Sequence, residues 1–349
     1  MKQQWEEAEK REYAAMIAHD VWDEVPESEP RSVGSTVITS RWVYKIKRAV
    51  DHSVDLFKAR ITARGFLQVF GVDYDEVFAA VVMLKSFRLC VALSVLFGWR
   101  MTQVDISNAF LNGNLEKPVY MAHPEGFPGT PGTVLRLKKS IYGLKNAPRI
   151  WWERLASVLA SLGFRQNGAD PCVHYHDAWK VLVCVHTDDI LLATSNEAAR
   201  SKVVAALSSE FKVKDMGDLK RYVGIEVEQL DRGVRLHQKS YVYVESILQR
   251  FGMTDAKPAP TPAAHGVHLT NQQCPTTAEG KAASALLPYK QAVGSLWYAA
   301  NGTRLDITCP TSAAAAFSAC PGQEHWIAIK RILRLVSCGC HWSRSLLPP

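Results

Sequence analysis

The stretch VLVCVHTDDILLATS, residues 181–195, is an apolar run interrupted near its middle by two adjacent acids, Asp188 and Asp189. A lone buried carboxylate protonates rather than stay charged, and two side by side repel. The placement therefore calls for open water at a surface turn, a basic side chain from elsewhere, or a metal. The apolar residues on either side predict two strands joined by a hairpin with the acid pair at its turn. Asp-Asp is a poor choice there, because neither residue takes positive φ without strain, and strain at a charged turn is a pointer to function.

A third acid has the same setting. Asp105 lies near the end of RMTQVDI (100–106), which also reads as a short strand, and SNAFLNGN then turns the chain. If these strands were neighbours, Asp105, Asp188 and Asp189 would converge on one point and hold divalent cations, with hard oxygen ligands favouring Mg²⁺. Two such ions would activate an attacking hydroxyl and stabilise the leaving pyrophosphate oxygen of an in-line displacement. The spacing alone leaves the other reading open, two unrelated surface turns.

The rest of the chain fits an ordinary globular protein, with 47% hydrophobic and 21% charged residues among 349. The charged N-terminus, MKQQWEEAEKREYAAM, carries no signal-peptide apolar region, and no stretch reaches the length of a membrane span, which points to an intracellular protein without membrane partners. The eight cysteines form no CxxC pair and are expected to be reduced; Cys320, His325, Cys338, Cys340 and His341 fit no common zinc spacing. The net charge of +7 is concentrated. RWVYKIKRAVDHSVDLFKARITAR (41–64) and RLKKSIYGLKNAPRIWWER (136–154) interleave basic with aromatic residues, which suits a phosphate backbone with bases or sugars and equally a pair of solvated faces.

Helix is expected over residues 1–22, with Trp5, Ala8, Tyr13 and Ile17 on one face. Residues 36–67 read as a hairpin turning near Asp51 and His52, its basic side chains sharing a face. Helices follow at 83–98, closed by Gly98, and at 148–164, with Pro148 in the first turn and Gly163 at the end. VHYHDAWKVLVCVHT (173–187) supplies two strands leading to the acid pair. Ser195 or Asn196 caps a helix from Glu197, 218–238 form a hairpin, and 240–253 a helix ending at Gly252. KPAPTPAAHGVHLTNQQCPTT (257–277) reads as a linker, followed by helices at 288–302 and 322–337.

The ordered motifs KARITARGFLQVFGVDYDEVFAAVV, QVDISNAFLNGNLEKPVYMAHPEGF, LRLKKSIYGLKNAPRIWW, VCVHTDDILLA and MGDLKRYVGIEV resemble the reverse transcriptase of copia-type LTR retrotransposons. The resemblance continues through VGSLWYAANGTRLDI and HWIAIKRILR, so it covers nearly the whole chain. It implies an α+β right-hand polymerase of fingers, palm and thumb with an antiparallel palm sheet. The implied organisation is an N-terminal helical extension (1–35), fingers, palm and partial thumb (36–257), a linker (258–277), and a small, mostly helical connection-like unit (278–349). That last unit stops before the acidic motifs of an RNase H domain, and protease and integrase signatures are missing upstream.

The resemblance implies that Asp105 and Asp188 are the principal ligands of two Mg²⁺ ions, replaceable by Mn²⁺, with Asp189 the weaker ligand. Phe110 would lie under the sugar and exclude a 2′-hydroxyl; otherwise it is a plain core residue. The amides of Asn108 and Ala109 would face the triphosphate, Lys58 and Arg60 would neutralise it, and Asn146 would contact template and nucleotide. His186 and Thr187 would lie beside the primer, and Tyr222, Val223 and Gly224 would steady its end. Partners would be an RNA or DNA template with primer, and dNTPs, in cytoplasmic particles or the nucleus. Departures are His186-Thr187 where the family reads Tyr-Val, Asn146 for Gln, Ala80 and Leu305 for Pro, and His52 for Gly. They suggest drift, so the alternative is a degenerate relic retaining only nucleic-acid binding; an unrelated Mg²⁺-dependent phosphohydrolase leaves Phe110 and the basic hairpin without a role.

Overall fold

The computed structural model describes residues 1–48, 53–231, 233–238, 240–337 and 344–346. The expected turn at Asp51 and His52 lies outside them, as do Cys338, Cys340 and His341. The chain forms two compact units, one of residues 1–86 and 100–217, the other of 87–99 and 218–349. The protein is mixed α and β with largely antiparallel sheets, and Val37–Ile38 pairs in parallel with Asn114–Met121.

The first unit is built on a six-stranded sheet ordered Val213–Asp218, Arg100–Ile106, Asp189–Thr194, Val181–His186, Val173–His176, Arg165–Gln166. Its two central strands read almost wholly apolar because they are buried on both faces: Val181 through Val185 and Ile190 through Thr194 are all buried. The strand Arg100–Ile106 instead alternates, which leaves Gln103 and Asp105 on one half-exposed face. The helix Ala147–Ser161 begins with Pro148 in its first turn, and Gly163 closes it at φ +90°. The helix Glu197–Glu210 is capped by Asn196, whose Oδ1 accepts the Ala199 amide at 3.0 Å.

A second sheet of the unit orders Trp22–Pro26, Thr133–Lys139, Asn114–Met121 and Val37–Ile38. Beside it stands the two-stranded hairpin Ser40–Arg48 with Val54–Ala63. The helix Lys2–Ala18 covers one face of that hairpin, with Trp5 edge-on to Tyr44 and Phe57 at 5.0 and 4.6 Å. Its buried stripe runs through Ala8 and Met16, while Ile17 is 55% exposed, so the expected face is displaced by one residue at its end.

In the second unit the sheet Arg221–Tyr222, Ile225–Gln229, Val234–His237, Arg344–Leu346 contains two successive hairpins where the sequence suggests one. The helices Ser240–Arg250, Tyr289–Gly302, Thr308–Ala315 and Gln323–Val336 share an apolar core around Leu296, Ile329 and Leu333. The helix Leu84–Leu96, closed by Gly98 at φ +65°, belongs to this unit from Phe87 onward. Residues 258–277 lie inside this unit. Arg334 donates to the Lys257 carbonyl at 2.6 Å and Arg331 to that of Thr261 at 3.1 Å, so this segment is strapped to the helix Gln323–Val336. His325 is also committed locally: its Nδ1 accepts the Gly322 amide and its Nε2 lies 3.2 Å from the Thr270 carbonyl.

Candidate active site

The acids meet through sheet register. Asp189 is the cross-strand partner of Asp105, and the Ile106 amide donates to the Asp188 carbonyl at 2.9 Å. Asp105 and Asp189 are therefore a pair without its own backbone bonds, the kind whose side chains come closest. The hairpin pairs His186 with Asp189, so its two turn residues are Thr187 and Asp188. This shifts the expected turn by one residue, and Asp189 is the first residue of its strand. The left-handed conformation falls on Thr187 at φ +54°, an uncommon state for a β-branched residue.

Two side-chain contacts brace this turn and the acid beside it. Trp151, 1% exposed, donates its indole N–H to the Thr187 carbonyl at 2.8 Å. Gln103 donates to the Asp189 carboxylate at 2.8 Å. Nothing in RIWWER separates Trp151 from Trp152, whereas alternation from Asp105 does place Gln103 on the same face.

Burial raises the Asp105 carboxyl above its ordinary 3.8, and Asp188 and Asp189 push it further, against Lys47 and Lys58. Burial likewise raises Asp189, with Gln103 opposing and Asp188 adding. Such a set is short of positive charge. Among the described residues no three acidic, His or Cys side chains already form a metal cage. The donors are nevertheless hard carboxylate oxygens whose mutual repulsion a divalent cation would relieve, so they fit Mg²⁺.

The basic hairpin presents its charge on one face, as expected. Lys45 lies directly across from Lys58, an unfavourable pairing for a hairpin standing alone. Burial lowers the Lys58 ammonium, helped by Arg60 and Lys47, while Glu12 and Asp188 oppose. Arg60 stacks over the Tyr142 ring at 4.7 Å, and Phe110 meets the same ring edge-on at 4.9 Å. Phe110 is half-buried and also packs against the core.

Asn108 takes a left-handed conformation, φ +54°, before the short 3₁₀ turn Ala109–Asn112. The Asn112 amide ties down the carbonyls of Asn108 and Ala109, and the amides of these two residues donate to no group among the described residues. Asn146 precedes the helix Ala147–Ser161 without capping it, and its Oδ1 is buried with no hydrogen-bond partner among the described residues. It helps to line a cavity of about 220 Å³ together with Tyr74, Lys117 and Arg149.

The three remaining candidates lie in the second unit. Tyr222 is 1% exposed and packs on Phe87 at 5.2 Å, so its ring is core. Val223 and Gly224 form a two-residue turn at φ +45° and +79°, and Tyr298 donates to the Val223 carbonyl at 3.3 Å.

Three carboxylates thus gather on a sheet in the same unit as a basic hairpin. Residues 19–265 match the family model described as reverse transcriptase (RNA-dependent DNA polymerase). The chain is 37% identical over 308 residues to the retrovirus-related Pol polyprotein from transposon TNT 1-94 of Nicotiana tabacum, covering 86% of this chain and 23% of that one. It is 34% identical over 340 residues to the Pol polyprotein from transposon RE2 of Arabidopsis thaliana, covering 95% and 22%. The putative transposon Ty5-1 protein of Saccharomyces cerevisiae is 27% identical over 239 residues, 66% of this chain and 74% of that one. The chain belongs to the reverse transcriptase family, and its similarity to plant transposon polyproteins agrees with the copia-type resemblance. It spans less than a quarter of those two polyproteins.

Proposed function

We propose that this chain is an RNA- and DNA-directed DNA polymerase, acting on a primed template and dNTPs. The observation that carries the reading is the register that sets Asp105 against Asp189 with Asp188 in the adjoining turn. Asp105, Asp188 and Asp189 would hold two Mg²⁺ ions, or Mn²⁺ in their place, and these would supply the positive charge that stabilises the attacking and leaving oxygens. Asp189, already bonded to Gln103, is the weaker ligand of the three.

The chain's own residues then do the positioning. Lys58 and Arg60 neutralise the triphosphate, and the amides of Asn108 and Ala109 point to its oxygens. Phe110 excludes a 2′-hydroxyl by shape, and Asn146 meets template and nucleotide. His186 and Thr187 lie beside the primer end, which the Val223–Gly224 turn steadies through its backbone. The primer 3′-hydroxyl attacks the α-phosphate of the dNTP, and pyrophosphate leaves. Among the described residues no helix is long and apolar enough to cross a membrane; the reading places the activity in cytoplasmic particles or the nucleus.

The second reading, a relic that only binds nucleic acid, draws on the small titratable ring of His186 facing Asp189. Extension of oligo(dT) on poly(rA) with Mg²⁺ or Mn²⁺ separates the two. Metal-dependent dTTP incorporation that Asp188→Asn abolishes supports the polymerase. A folded protein that binds primer-template but incorporates nothing supports the relic, and His186→Tyr is then the variant to restore activity.

A further inference from the structure

Tyr142 contacts two of the side chains that the proposed function assigns to the incoming nucleotide, Arg60 and Phe110. Its ring lies 4.7 Å below the Arg60 guanidinium and meets Phe110 edge-on, with centroids 4.9 Å apart and planes at 73°. Edge-to-face pairs and stacked guanidinium groups have preferred geometries, so a fixed tyrosine limits where both partners rest.

The backbone under that ring is firmly held. The Tyr142 carbonyl accepts the Ala63 amide at 2.8 Å, which ties it to the end of the basic hairpin. The next residue, Gly143, has φ +92°, and its main chain passes so near Ala63 and Gly65 that a Cβ on either glycine would meet a carbonyl oxygen at 2.1 Å. Burial raises the Tyr142 hydroxyl, Arg60 opposes this, and Asp188 and Glu12 add to it.

We propose that Tyr142 is a positioning residue for sugar selection: its ring sets the Phe110 edge against the 2′ position of the nucleotide while holding Arg60 toward the triphosphate. The role rests on the reading of Phe110 and Arg60 given above and adds to it the element that couples them. An aromatic contact worth about 0.5–1.5 kcal/mol corresponds to roughly 2- to 12-fold in discrimination.

The test measures ternary-complex formation by the full chain on a chain-terminated primer and poly(rA), titrated with dTTP or UTP in Mg²⁺. The expected result is that Tyr142→Leu reduces the preference for dTTP by about fivefold or more. Tyr142→Phe, which keeps the ring, holds the preference within about twofold. If Tyr142→Leu melts differently from the parent, Tyr142→Met repeats the measurement with comparable volume and no ring. Phe110→Ala is measured alongside. An unchanged preference in the Tyr142 variants, with Phe110→Ala relaxed, overturns the coupling and leaves the gate intact. No preference in the parent, or none lost in Phe110→Ala, overturns the gate and the coupling with it.

Discussion

Two tight turns, one in each unit, are built alike. Thr187 and Val223 are both β-branched residues held at positive φ, each the first residue of a two-residue hairpin connection. In both, an aromatic donor from a helix binds the carbonyl of the strained residue, Trp151 at 2.8 Å and Tyr298 at 3.3 Å. The surroundings differ. Trp151 is 1% exposed and its turn carries a carboxylate, whereas Tyr298 is 37% exposed and its turn carries only a valine and a glycine. Strain of this kind persists only where the packing around it over-determines the conformation. The turn with the better-buried donor is the one to which the proposed function gives a metal-holding carboxylate, and the one with the exposed donor is the one it gives to steadying the primer.

The difference predicts a graded series. Asp188→Asn is expected to lower dTTP incorporation by about 10³-fold or more with primer-template binding retained, an effect no substitution in the other turn should match. Trp151→Phe leaves the Thr187 carbonyl without its donor in a partly buried site. It should cost about 1–3 kcal/mol in urea unfolding and lower kcat more than it raises the primer KM. Gly224→Ala puts a Cβ 2.3 Å from the Tyr298 hydroxyl at φ +79°. It should cost about 1 kcal/mol and appear mainly as a higher primer KM, because the turn bears no reacting group.

Asp105→Asn should abolish incorporation yet raise the thermal midpoint at neutral pH by roughly 1–3 °C. The sign follows from the raised carboxyl. A group that binds its proton more tightly when folded costs stability above its raised pKa and nothing below its ordinary one. The advantage of Asn over Asp should therefore shrink as pH falls through that window. Tyr298→Phe removes a long bond from a partly exposed donor and should cost about 0.5 kcal/mol with a primer KM within about twofold of the parent. A Tyr298→Phe effect as large as that of Trp151→Phe would erase the distinction between the turns.

Much of the local structure was legible because its causes lie within a few residues. The strand Arg100–Ile106 appears with its expected bounds, Asn196 rather than Ser195 supplies the cap, and Gly98, Gly163 and Gly252 take the left-handed conformations their places after helices require. The motifs of the chain sufficed for its family. Other features rested on partners distant in sequence. The stretch 257–277 reads as a linker from its composition, but guanidinium groups of Arg331 and Arg334 bind its carbonyls. Tyr222 reads as a surface contact until Phe87, more than a hundred residues earlier in the chain, covers its ring.

By itself the sequence determined that the chain carries carboxylates at strand ends, a basic hairpin and helices with defined caps, since periodicity and end chemistry act over one or two turns. Tertiary structure alone decided that Asp105 faces Asp189, that Thr187 and not an acid bears the strained φ, that Trp151 binds the Thr187 carbonyl, and that Tyr142 packs on Arg60 and Phe110. Those facts depend on strand register, where a slip of one residue would turn every side chain to the opposite face, and on packing between segments whose separation along the chain carries no local signal.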